Sequence, residues 1–140
     1  VAISISVIDV IWGIIPDSLN LLGFCVGVMS SIVSERFSDS IAGAIIGFFI
    51  LGSIYWLSRG GMGAGDVKYA ATLGCFLGSR LILLCLFIAF VSGAIVGTGL
   101  ILLRKKGWRS SIPFGPFLSI GAVAALLWGN NIIQWYLNLL

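Results

Sequence analysis

Leu81-Ile82-Leu83-Leu84-Cys85-Leu86-Phe87-Ile88-Ala89-Phe90-Val91-Ser92-Gly93-Ala94-Ile95-Val96-Gly97-Thr98-Gly99-Leu100-Ile101-Leu102-Leu103 is a continuous run without a single charged side chain. As an α-helix it rises about 34 Å, against a bilayer hydrocarbon core of about 30 Å, so it crosses a membrane unaided. The composition agrees. The 140 residues are 59% hydrophobic and 9% charged, with a mean hydropathy of +1.15. Water-soluble domains carry about 25% charged residues, so this chain cannot cover itself with polar surface. It belongs to the integral membrane class, and its length allows one compact bundle.

Working outward, other apolar runs recur between short polar breaks. Residues 1–15 form a first segment interrupted by Asp9. The eight residues before that acid rise only about 12 Å as helix, so the expectation is a longer first helix in the natural protein. This start lacks the basic n-region and cleavage site of a signal peptide. Pro16-Asp17-Ser18 ends the segment, with Asp17 or Ser18 placed to cap the next helix. Residues 19–33 and 41–57 follow, separated by the polar turn 34–40. A short segment at 67–78 precedes a turn at Gly78-Ser79-Arg80, and residues 114–139 come last. The runs show no two-residue alternation, which favours helices over a transmembrane barrel. The expected fold is an all-α polytopic membrane bundle of about six transmembrane helices, with residues 1–140 as one domain. Glycines at 43, 47, 93 and 97 let helices approach closely.

Charge placement suggests the orientation. Alternate crossings put Arg59, Lys68, Arg104, Lys105, Lys106 and Arg109 on one side and only Arg36 and Arg80 on the other. The positive-inside rule assigns the richer side to the cytoplasm, together with Asp9 and Asp17. Trp12, Trp56 and Trp108 then belong to a cytoplasmic aromatic belt, with Trp128 and Trp135 nearer the opposite face. The net charge of +3 forms no basic face for nucleic acid. With no histidine, and Cys25, Cys75 and Cys85 each alone in an apolar run, neither a metal site nor a disulfide framework is expected.

Two acids stand out in this apolar setting. Asp66 ends the glycine-rich stretch Gly60-Gly61-Met62-Gly63-Ala64-Gly65-Asp66-Val67-Lys68, and Asp9 sits inside the first apolar run. Intramembrane charge is costly and usually functional. Asp66 taken alone is open between a helix cap and a catalytic acid, whereas no helix starts after Asp9 for it to cap. Asp17 reads as a cap, and Lys68 as a snorkelling lysine or a residue that binds lipid or orients substrate. The topology puts Asp9 and Asp66 at similar depth. Carboxylates that meet share a proton, so one serves as base for water and the other as acid toward a carbonyl oxygen. That is aspartic protease chemistry, and it needs no metal and no cofactor.

Gly63-Ala64-Gly65-Asp66 resembles the Gly-x-Gly-Asp signature of intramembrane aspartyl proteases. The wider run Gly61–Lys68, with Leu73-Gly74 after it, is similar to the type IV prepilin peptidase family. Asp9 followed by Pro16-Asp17 resembles that family's first catalytic aspartate and its Ile-Pro-Asp element. Ile112-Pro113-Phe114-Gly115-Pro116-Phe117 resembles a third stretch. The resemblance runs along the whole chain in matching order. It implies an aspartic endopeptidase of the inner (plasma) membrane, active site toward the cytoplasm. The enzyme would remove leaders from type IV prepilins or pseudopilins, with membrane lipid around it. Carried over, Asp9 and Asp66 are the catalytic pair and Gly63 and Gly65 shape the loop; beside them, Lys68 and Asp17 stand as candidate loop-shaping or substrate-binding positions. Many bacterial members also methylate the new N-terminus through a region with paired Cys-x-x-Cys motifs. That pattern is absent from this sequence, so the expectation is the peptidase activity alone. Presenilin-like proteases fit less well, because Ile8 rather than tyrosine precedes Asp9 and the late motif is Pro-Phe-Gly-Pro. A non-enzymatic alternative, a transporter or channel subunit using Asp9 and Asp66 for protons or ions, lacks the internal repeat such folds carry.

Overall fold

The computed structural model describes residues 3–4, 7–8, 11, 15–59, 61–103 and 113–140. Asp9, Trp12, Trp108, Ile112 and the basic loop Arg104–Arg109 lie outside the described residues. Residues 3–4, 7–8 and 11 are helical, and among the described residues four longer helices follow in order: α1 (Asp17–Val33), α2 (Phe37–Ser58), α3 (Ala64–Leu102) and α4 (Gly115–Leu139). No strand occurs among the described residues. Helices α2, α3 and α4 are each long and apolar enough to cross a membrane.

The helices are packed inside out relative to a soluble protein. The inward stripe of α1 is Asn20, Gly23, Gly27 and Ser31, and that of α2 is Ser40, Gly43, Gly47 and Leu51. Both stripes follow the three- and four-residue spacing of one helix face. Large apolar side chains such as Phe49, Trp56, Phe87, Ile95, Leu127 and Trp135 point outward. In lipid nothing drives a phenylalanine inward, so small residues take the interface and let the backbones close. Gly43 lies against the backbones of Gly74 and Gly78, and Gly47 against the carbonyl of Ala70. Position rises on α2 as it falls on α3, so the two run antiparallel. The larger buried side chains, among them Leu51, Tyr69, Leu77, Ile82 and Leu118, gather where α2 and α4 meet α3.

Helix α3 is not one rod. Gly78 carries φ 78° and ψ 177° inside it, a region open to glycine and closed to other residues. Tyr69 on one side of the break bonds Ser119, while Cys85 on the other side donates to the carbonyl of Leu118. Along a straight helix Tyr69 and Cys85 would stand about 24 Å apart, so the chain doubles back at Gly78 and both arms pack on the same turn of α4. This matches the turn expected at Gly78-Ser79-Arg80. The new helical start is capped from another helix. Asp39 Oδ1 accepts from the Ser79 amide at 3.1 Å and from its hydroxyl at 2.5 Å, while Oδ2 accepts from Arg36 at 3.2 Å.

Two local expectations need correction. Residues 37–40 are not part of a polar turn but the first turn of α2, because Asp39 is held by Ser79. The turn shrinks to Ser34–Arg36, with Glu35 left-handed (φ 54°) and the Arg36 amide donating back to the Ser31 carbonyl at 3.1 Å, a Schellman-type closure. Asp17 is not a cap either. Pro16 occupies the cap position without a side-chain cap bond, and Asp17 is already helical.

Replacing Gly78 by alanine puts a β-carbon into the Asp39 carboxylate and forces a disfavoured φ. Gly78→Ala is expected to destabilise the bundle by about 1–3 kcal/mol, read by denaturant unfolding in detergent. Gly99→Ala, with open space around it, is expected to stay close to wild type.

Candidate functional site

The glycine-rich loop ends by starting a helix. Gly63 is the cap residue of α3, extended at φ −74° and ψ 140°, and the Asp66 amide donates to its carbonyl at 3.1 Å. Asp66 therefore sits in the first turn and not at the cap, and the residue is only 6% exposed. A β-carbon on Gly63 would stand 3.6 Å from Asp66 Oδ2, so glycine at that position keeps the approach to this oxygen open. Met62 leans on the core behind the loop.

The proline-aspartate element runs alongside. A β-carbon on Gly65 would lie 3.1 Å from Cβ of buried Ile15, so the glycine is what lets Ile15 close on the loop. Two further contacts continue the seam. Lys68 Nζ donates to Asp17 Oδ1 at 3.0 Å, and Thr72 Oγ1 donates to Asn20 Oδ1 at 2.6 Å. The Lys68–Asp17 pair is 55% and 73% exposed, and such pairs contribute about 0–1 kcal/mol. The Asn20–Thr72 bond is different in kind, because both residues are buried, at 4% and 3% exposure. A buried oxygen left unpaired costs about 1–3 kcal/mol, so this bond fixes the register of α1 on α3.

The third motif arrives from the far side. Phe114 stacks on Phe90, with ring centroids 5.2 Å apart, and also packs on Gly93 and Phe117. One turn into α4, Ser119 Oγ lies 2.7 Å from Tyr69 Oη and donates to the Gly115 carbonyl at 3.1 Å. Tyr69 is one helical turn after Asp66 and fully buried. Ile15 and Asp17 thus lie against the first turns of α3 that Gly63–Asp66 begins, while Phe114 packs on Phe90 and Gly93 of the later arm and Ser119, just past that stretch, reaches Tyr69. Asp9 lies outside the described residues.

Four functional-looking residues escaped the sequence reading: Asn20, Thr72, Tyr69 and Ser119. Each is a polar group within an apolar run, and Tyr69 and Thr72 follow Asp66 at helical spacing. That periodicity was the available signal. Lys68 also separates two open clefts. One, of about 390 Å³, lies between α1 and α3 and reaches Phe48, with Asn20, Phe24 and Thr72 in its walls. The other, of about 550 Å³, lies between α2 and the start of α3, against Phe49, Trp56 and Val67. No group of histidine, cysteine and acidic residues suited to a metal occurs among the described residues.

The model of the type IV leader peptidase family matches residues 1–98. Curated relatives include the prepilin leader peptidase/N-methyltransferases of Aeromonas hydrophila, 38% identical over 99% of this chain and 50% of the relative, and of Aeromonas salmonicida, 37% identical over the same shares. The Pseudomonas aeruginosa protein of the same name is 34% identical over 97% of this chain and 49% of its own length. The chain thus spans about half the length of the curated relatives it matches. No solved structure matches it. From its family match and from relatives similar along nearly its whole length, the chain belongs to the type IV leader peptidase family.

Proposed function

We propose that this chain carries the peptidase activity of a prepilin leader peptidase and works by an aspartic mechanism. The observation that carries this reading is buried Asp66 in a first turn of α3 that the Pro16-Asp17 element flanks through Lys68 and that α4 reaches through Ser119. Asp66 and Asp9 share one proton. The ionised carboxylate takes a proton from water as the water oxygen attacks the scissile carbonyl carbon. The protonated partner donates to the carbonyl oxygen, giving a neutral gem-diol. Its collapse breaks the C–N bond as a proton passes to the leaving nitrogen. Asn20–Thr72 and Tyr69–Ser119 hold α3 so that Asp66 keeps its place through the cycle.

The precursor's apolar helix lies in the bilayer along the clefts beside Lys68, and its polar leader stays in the cytoplasm. That brings the scissile bond to the interface, where water reaches it. The surplus of Lys and Arg on the loops of one side supports the cytoplasmic, inner-membrane orientation. The break at Gly78 is the kind of interruption ion transporters use. It lies about 18 Å along the helix from Asp66, and the Ser79 amide next to it already donates to Asp39, so it gives no support to a transport reading.

The test is incubation of the purified, membrane-reconstituted chain with a type IV prepilin, followed by mass determination of the product's new N-terminus. Cleavage just before the hydrophobic helix is expected. Asp9→Asn and Asp66→Asn should each abolish it while the protein still inserts, and full activity in either variant removes the dyad. The rate should follow a bell-shaped pH profile belonging to the pair; a flat profile from strongly acid to strongly alkaline pH contradicts a shared proton. Gly65→Val keeps both acidic residues in the sequence but pushes Ile15 off the loop and so shifts the first turn of α3. It is expected to lower the rate by about 10²-fold, as a misplacement near 1 Å does.

A further inference from the structure

The end of the bundle opposite Asp66 holds a cleft that the proposed cleavage does not use. It has a volume of about 680 Å³ and lies where the start of α2, the break in α3 and the last turns of α4 come together. Arg36 and Arg80 line it, and Asp39 is the one carboxylate among the lining residues. Both oxygens of Asp39 are engaged, Oδ1 by Ser79 and Oδ2 by Arg36. Arg80 is exposed and has no ion pair or hydrogen-bonded partner among the described residues. The cleft therefore keeps a net positive charge, with one guanidinium uncommitted.

The α4 wall adds a second kind of chemistry. Asn130, Ile133, Gln134 and Leu137 line the cleft at the spacing of a single helix face. Asn130 and Gln134 offer amide donors one turn apart, while Ile133, Leu137 and Leu81 give an apolar wall beside them. A charged donor set joined to an apolar wall fits an amphiphile better than a free ion. Guanidinium groups pair with phosphate oxygens through parallel N–H bonds. We propose that this cleft holds the headgroup of an anionic phospholipid. Arg80 and Arg36 take the phosphate oxygens, Asn130 and Gln134 bond the remaining polar headgroup atoms, and the acyl chains run along Leu81, Ile133 and Leu137. The lipid would cover the Gly78 reversal, tying α2, α3 and α4 at the end remote from Asp66. The proposal is independent of leader cleavage.

Native mass spectrometry of the purified chain, titrated with phosphatidylglycerol or phosphatidylcholine in detergent, tests it. The wild type is expected to bind phosphatidylglycerol about tenfold more tightly, a difference of about 1.4 kcal/mol. Arg80→Gln should remove that preference, and Gln134→Leu should reduce it. Because Arg80 is exposed and unpaired, its replacement should leave unfolding in lipid-free detergent unchanged. Arg59→Gln, another exposed arginine but one outside the cleft, should keep the preference. The proposal is overturned if Arg80→Gln binds like the wild type. Equal loss in Arg59→Gln overturns it too, since that marks ordinary interfacial attraction. Displacement of phosphatidylglycerol by millimolar inorganic phosphate assigns the site to a free anion instead.

Discussion

A polar group inside a bilayer has no water to fall back on, so each one must find its partner within the protein. That constraint accounts for most of this bundle. Asn20 meets Thr72, Tyr69 meets Ser119, and Asp39 reaches across from α2 to cap the chain reversal at Gly78. Each bond joins two helices, and hydrocarbon alone would not specify which helices pair. Many large apolar side chains, equally comfortable in lipid, face outward, and the closest helix approaches are made at glycines. Register is therefore set by a few polar bonds acting on closely packed backbones.

The same bonds fix the surroundings of Asp66. Seen from Asp66, α1 is held by Ile15 against Gly65 and by Asn20 against Thr72, and α4 by Ser119 against Tyr69. A carboxylate in the first turn of a helix fixed in this way has little freedom to swing. On the proposed mechanism that rigidity matters, because a general base must keep hydrogen-bond distance to its water. The exposed Lys68–Asp17 pair contributes less to stability than its good geometry suggests. It marks the boundary between two clefts that open beside the loop.

Much of the fold was legible because apolar runs this long have one physical solution. Charge-free residues 81–103 announced a spanning helix, and Gly78-Ser79-Arg80 announced the reversal. Segment ends were less legible. Asp39 looked like part of a polar turn until Ser79, far away in sequence, was seen to hold it in α2. Asp17 carried the signature of a cap, yet it is used by Lys68 instead. The candidate site was legible as motifs, since four glycines crowding toward an acid are conspicuous in an apolar chain. Its supporting bonds were not. Nothing in a single sequence says that Thr72 will find Asn20, because pairing depends on the helix rotation that the glycine contacts impose.

The central claim is that Asp9 and Asp66 come together. Cysteines placed at both positions, in a chain with Cys25, Cys75 and Cys85 replaced, can be joined by a short bifunctional thiol reagent in the membrane. Cysteines at 20 and 72, where the native side chains already bond at 2.6 Å, serve as the positive control. The account predicts efficient intramolecular cross-linking of 9 to 66, rising further when an uncleavable prepilin is bound. Cross-linking of 20 to 72 with none between 9 and 66, with or without that substrate, would contradict it.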